Sequence, residues 1–259
     1  MSNTKISKFA KMGSIVLLSV SLVACGTSKK HETSQSSNSL PTPTKSTSYT
    51  FGEYLEKGPK TQIWYLTEQI SKDSKNNYAY VVENGKITSY NTGKYTLGNL
   101  SKLSTKEVIE KLKENTVGSV LKNYEEHVKH AQENNYQREL DDLQSFKSTI
   151  EKYHPKAYSY KLALYTDNSG NNTNYETVAF KKNIVKLYNA FDDGIYPSEI
   201  KEAEDIIQLH SVMGISPIYD KKFTGFVTKK KYFITQIEDD ITFTLDQPNT
   251  KLKNISIDE

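Results

Sequence analysis

The chain has 259 residues, 36% of them hydrophobic and 25% charged, with 34 Lys and Arg against 31 Asp and Glu and a single cysteine. One cysteine excludes an internal disulfide framework, a cysteine-rich zinc module and a CxxC redox site, and the modest apolar content excludes a polytopic membrane protein. The length suffices for one or two globular domains with a real core, and the net charge of +3 is small enough that its placement matters more than its size.

Lys5, Lys8 and Lys11 open the chain with positive charge, and Ile15, Val16, Leu17, Leu18, Val20, Leu22 and Val23 form an apolar run that stops at Cys25. At about ten residues the run falls well short of the roughly 20 that a membrane-spanning helix needs, so residues 1–24 read as an export signal peptide. The next segment, 25–48, is rich in Ser, Thr, Pro and Lys with one large apolar residue, Leu40. It buries too little to offset its ordering entropy and is expected to be a disordered tether, spanning about 25–30 Å as a flexible coil and roughly 80 Å when stretched.

From Tyr49 onward the pattern is globular, and two domains are expected, 49–155 and 156–259. Ile63 to Leu66 and Tyr78 to Glu83 read as strands, and Asn84-Gly85 supplies the positive φ angles of a tight hairpin before Lys86 to Tyr90. Ser104 with Glu107 makes a capping box, and Leu103 with Val108 a hydrophobic staple, so a helix should start at Thr105. From Val117 to Tyr153 apolar residues recur at spacings of three and four, giving one helical seam that Asn134-Asn135 interrupts as a kink or a turn and Pro155 closes.

Beyond Lys156 the chain alternates like β structure. Strands are expected at Tyr158 to Leu164, Tyr175 to Phe180, Ile184 to Phe191, Ile206 to Ser211, Phe223 to Val227, Tyr232 to Glu238, Ile241 to Leu245 and Leu252 to Ile257. Ser198 to His210 fits a helical period as well. The fold class is therefore α+β: a β-hairpin and capped helix, a central helical segment, and a C-terminal antiparallel sandwich or barrel.

Three features invite chemistry. His127 and His130, at i and i+3 in a helical segment with Glu126 and Glu133 nearby, share a face, but the spacing is not that of a zinc peptidase and a solvated charged face accounts for them. The Asp167 to Asn174 loop is rich in oxygen ligands but lacks the offsets of a calcium-binding EF-hand, and its Asn, Asp, Ser and Gly suit a hairpin loop. Eighteen tyrosines and Trp64 suit half-buried strands or a stacking surface. No GxSxG elbow, SxxK motif or glycine-rich phosphate loop is present, and Arg138 is the only arginine, which disfavours both nucleophilic catalysis and nucleic-acid binding.

Leu22-Val23-Ala24-Cys25-Gly26 resembles the lipobox of bacterial lipoproteins. The resemblance implies cleavage between Ala24 and Cys25, diacylglyceryl attachment to the Cys25 sulfur, and anchoring to the outer face of the cell membrane, where two acyl chains hold more firmly than one. With its Lys- and Asn-rich, Arg-poor body and its Asn84-Gly85-Lys86 hairpin, the chain resembles small lipoproteins of low-GC Gram-positive bacteria, which implies a location and no particular activity. Cleavage would remove Lys5, Lys8 and Lys11 and no acid, leaving 31 basic residues (34 less three) against 31 acidic ones.

The function expected is that of a lipid-anchored, extracellular, non-catalytic binding module at the cell surface, without a cofactor, its partners the bilayer through Cys25 and a surface, wall or protein ligand. Two other readings are a solute-binding lipoprotein serving a transporter, which needs a cleft between two α/β lobes, and a cell-wall-acting hydrolase, which needs His127, His130 or His210 to converge with an acid.

Overall fold

The computed structural model describes residues 47–76, 78–191, 194–251 and 255–258, so the expected signal peptide, the expected Ala24–Cys25 cleavage site and nearly all of the expected tether lie outside the described residues. The first described element is strand β1 (Thr47–Thr50); Thr47 and Ser48, assigned by composition to the tether, belong to it. Thr50 then caps helix α1 (Phe51–Lys57): its Oγ1 accepts the Glu53 N–H while the Glu53 carboxylate accepts the Thr50 N–H, giving partners to two donors otherwise left open around the helix start. This short helix has too few turns to show a period in the sequence.

Strands β2 (Thr61–Thr67), β3 (Tyr78–Glu83) and β4 (Lys86–Asn91) follow as an antiparallel meander, with Asn84 at φ 52° and Gly85 at φ 70° in the expected hairpin turn. A single turn, α2 (Leu97–Leu100), leads to α3 (Thr105–Glu133), which begins at the expected residue with the Ser104–Glu107 box formed in both directions. α3 runs unbroken through Val117 and ends where Asn135, at φ 55°, enters the left-handed region. The Tyr136 N–H donates to Ala131 O at 2.9 Å and the Asn135 N–H to Gln132 O at 3.3 Å, the two bonds of a Schellman motif. Asn134-Asn135 is thus a turn and not a kink, and α4 (Gln137–Glu151) folds back so that the Tyr124 hydroxyl donates to Leu143 O.

The remaining strands are β5 (Tyr158–Thr166), β6 (Thr173–Lys186), β7 (Asn189–Phe191), β8 (Gly194–Tyr196), β9 (Glu199–Leu209), β10 (Ser211–Ile218), β11 (Lys221–Val227), β12 (Tyr232–Ile237), β13 (Ile241–Thr244) and β14 (Ile255–Asp258). The ambiguous Ser198–His210 stretch is strand: β9 pairs with β6 from Glu199 opposite Lys186 to Leu209 opposite Glu176, and Ile207 and Leu209 are buried at a spacing of two.

One ten-stranded sheet runs β10-β11-β12-β2-β3-β4-β5-β6-β9, with β14 added in parallel to β5, while β1–β13 and β7–β8 are separate pairs. Because β12 pairs β2 and β4 pairs β5, strands from 49–155 and 156–259 share one sheet, and the described residues cluster as one compact unit with no boundary at residue 155. Periodicity is local and carries no information about such partners.

The α+β class stands, and the hydrogen-bonded path is open. Its two ends are nevertheless consecutive in the chain, since His210 alone separates β9 from β10, and the His210 N–H donates to Val227 O of β11 at 2.9 Å. β4 and β5 pair only at Lys86–Ser159 and Ile87–Tyr158. The sheet thus falls into two halves, β10 to β4 and β5 to β9, joined by the short β4–β5 pairing and linked in the chain through His210.

The two halves share a core. Trp64, Tyr80, Phe226 and Phe233 from one pack with Tyr160, Leu162, Val178 and Phe180 from the other, and Phe51, Tyr54 and Phe243 join them. Trp64 is fully buried, stacked on Phe233 with ring centroids 4.9 Å apart, and its indole N–H donates to Gln62 Oε1. On the opposite face of β2–β3, Ile63, Tyr65, Ala79 and Val81 pack under Leu97, Leu100, Val108 and Leu112 of α2 and α3. β2 thus buries both faces, the reason Ile63 to Leu66 run as four consecutive large apolar or aromatic residues. The helical seam forms a third core in which Tyr124, Ala131, Leu143, Phe146 and Ile150 meet Leu187, just past the end of β6. Among the described residues no helix is long and apolar enough to cross a membrane.

Candidate functional site

The turn from α3 to α4 builds a pocket of about 630 Å³, lined by His127 and His130 from α3, Tyr136 to Glu139 from the turn and the start of α4, and Tyr188 to Ala190 from the β7 side. The Schellman turn brings residues from both sides of the Asn134-Asn135 break together. The β7–β8 wall is held by a relay in which the Tyr188 N–H donates to Ser198 Oγ at 2.9 Å and the Ser198 N–H donates to the Asp142 carboxylate on α4 at 3.0 Å.

His127 Nδ1 lies 3.6 Å from Glu139 Oε1, within ion-pair range but beyond a good hydrogen bond. Glu139 is nearly buried, so its carboxylate is largely withdrawn from water. His130 meets Tyr136 edge-on with ring centroids 5.7 Å apart, and Tyr136 is 50% exposed at the rim. Arg138 is exposed and has no ion pair among the described residues. α4 starts without a side-chain cap; the Gln137 N–H donates to Asn135 O at 3.1 Å, and the acidic Glu139 lies in its first turn.

The sequence candidates separate cleanly. His127 and His130 share this pocket, whereas His210 sits between β9 and β10 beside the Tyr175 ring, its Nε2 buried and without a partner among the described residues. The pocket residues that sequence reasoning missed are Tyr136, Arg138, Glu139 and Tyr188. The legible signal was the Asn134-Asn135 break: read as a turn, it places residues just before and just after it side by side.

Asp167 to Asn172 closes the β5–β6 hairpin, and Thr173 and Asn174 already belong to β6. Asp167 Oδ1 accepts from the Ser169 N–H at 3.1 Å and hydroxyl at 2.6 Å, and Oδ2 accepts from the Asn172 side-chain amide at 3.0 Å. These donors hold its carboxyl down at about 2 and occupy both oxygens, the arrangement of an Asx-type loop. Among the described residues no three His, Cys, Asp or Glu side chains are grouped to hold a metal ion.

A second cavity, of about 740 Å³, lies between α1, β2, the start of α3 and β12–β13. Its lysines are already engaged: Lys57 with Glu53 at 2.9 Å, Lys221 with Asp220 at 3.4 Å, and Lys102 over the Tyr219 ring. The α3–α4 pocket differs in presenting a guanidinium with no ion pair among the described residues. Compared with known proteins, the chain matches no family model, no curated protein and no solved structure.

Proposed function

We propose that this protein is a lipid-anchored binding module on the outer face of the cell membrane, with its ligand site in the α3–α4 pocket. The lipobox at Leu22–Gly26, which contains the only cysteine, supports the anchor. The observation that carries the binding reading is Arg138: an exposed arginine without an ion pair among the described residues, lining a cavity that also holds two histidines and a nearly buried carboxylate. The two half-sheets, in effect an incomplete sandwich, are the rigid scaffold, and the helix pair presents the site. The shared core of the two half-sheets favours this module over a transporter's solute-binding lipoprotein, which would close two lobes around its ligand.

The anchor is tested by feeding cells a labelled fatty acid and comparing wild type with Cys25→Ala. Label is expected on the wild-type protein only, and label retained by the variant overturns the assignment. The 3.6 Å approach of His127 to Glu139 favours one second reading, a cell-wall-acting hydrolase with His127 as general base. Release of soluble fragments from purified cell wall by wild type, but not by His127→Gln, would replace the binding reading with that one.

A further inference from the structure

We infer that the α3–α4 pocket takes a small organic carboxylate with an aromatic or apolar body. The inference deepens the binding-module reading and rests on it. Three observations select this class. Arg138 is the only arginine in the chain and has no ion pair among the described residues; a guanidinium presents a planar fork of donors that matches a carboxylate through two parallel hydrogen bonds. Glu139, next in sequence and nearly buried, puts a carboxylate in the same wall, 3.6 Å from His127. That charge repels the second negative charge of a phosphate dianion more than it opposes a monoanion. The cavity volume of about 630 Å³ fits a small molecule, and Tyr136 with His130 on one side and Tyr188 on the other offers ring surfaces for a flat or apolar body.

The test is calorimetric titration of the full-length lipidated protein in detergent with four probes: N-acetyl-phenylalanine, its uncharged amide, acetate, and inorganic phosphate. N-acetyl-phenylalanine is expected to bind saturably, about tenfold or more tighter than the amide and than phosphate. Arg138→Gln, at an exposed position, is expected to melt at the wild-type temperature and lose about the same factor for the acid only. Tyr136→Ala is expected to weaken N-acetyl-phenylalanine while leaving acetate unchanged. Equal binding of acid and amide, or undiminished binding in Arg138→Gln, overturns the carboxylate; phosphate binding as tightly as the acid overturns the choice of anion; no heat from any probe overturns the inference. Fatty-acid labelling of Cys25 is read in parallel. Labelling with failed titrations sinks the ligand class alone, whereas absent labelling sinks the anchored-module reading whatever the titrations give.

Discussion

The backbone N–H of Asp246 donates to Glu176 Oε2 at 3.3 Å, and both carboxyl groups are fully buried. Asp246 in turn accepts from the Thr50 hydroxyl and, at 2.6 Å, from the Gly52 N–H, so one acidic pair joins the end of β1, the start of α1, the segment after β13, and β6. Glu176 Oε1 has no partner among the described residues. Burial first, and then the neighbouring Asp246 charge, push the Glu176 carboxyl up to about 9.

A folded-state value raised above the unfolded one means that the native protein holds a proton the unfolded chain releases. Stability from this group is therefore complete below the ordinary glutamate range near 4.5 and falls as pH rises toward 9, with a slope of up to about 1.4 kcal/mol per pH unit. Urea midpoints of the wild type should fall between pH 5 and 9. Glu176→Gln, neutral and of nearly the same shape, should flatten that decline and be the more stable of the two at pH 8. Parallel profiles for the two proteins would rule out Glu176 as the titrating group.

Trp64 is fully buried among Phe51, Phe226, Phe233 and Phe243, and its N–H is satisfied by Gln62. Trp64→Ala should cost about 3–5 kcal/mol, the usual range for emptying an aromatic site in a packed core. Ile195→Ala, at a position 53% exposed, should change stability by less than about 0.5 kcal/mol. Chemical denaturation followed by far-ultraviolet circular dichroism reads both.

Gly225 lies in β11 at φ 156°, and a Cβ there would stand 2.2 Å from Phe233 O on the paired strand β12. Gly225→Ala should separate β11 from β12 locally and cost about 1–3 kcal/mol. Faster amide hydrogen exchange at Phe226 and Phe233, which face each other in the ladder, would locate the damage; unchanged exchange would refute it.

Asn135 closes α3 in the left-handed region, which asparagine tolerates and a β-branched side chain does not. Asn135→Gly should be neutral or slightly stabilising, while Asn135→Ile should cost about 1–2 kcal/mol. Because the same turn sets the pocket geometry, Asn135→Ile should also weaken binding of N-acetyl-phenylalanine, measured by titration at a temperature where the variant remains folded.

Local order was largely legible. The Asn84-Gly85 hairpin, the Ser104–Glu107 cap and the start of α3 at Thr105 all rest on interactions spanning four residues or fewer, and each stands in the structure as its residue types demand. The seam from Leu121 to Ile150 packs as a core face because spacings of three and four place those side chains on one side of a helix. α1, α2 and β1 were not legible: each has seven residues or fewer, too short for a period to emerge. β9 was ambiguous because Ile200, Ala203 and Ile207 satisfy a helical period, and only pairing with β6 selects the strand.

What lay in the sequence, then, was what neighbours set: the lipobox-like pattern around Cys25, the neutral charge balance beyond residue 24, and most of the helices and strands. Tertiary structure decided what depends on residues distant in the chain. Thr235 of β12 packs opposite Trp64 of β2, Asp246 meets Glu176, and His127 meets Glu139 across a turn that the sequence marked but did not resolve. The reason is physical: side-chain periodicity reports which face of an element seeks burial, whereas the partner that supplies the burial is chosen by the global energy of the packed chain.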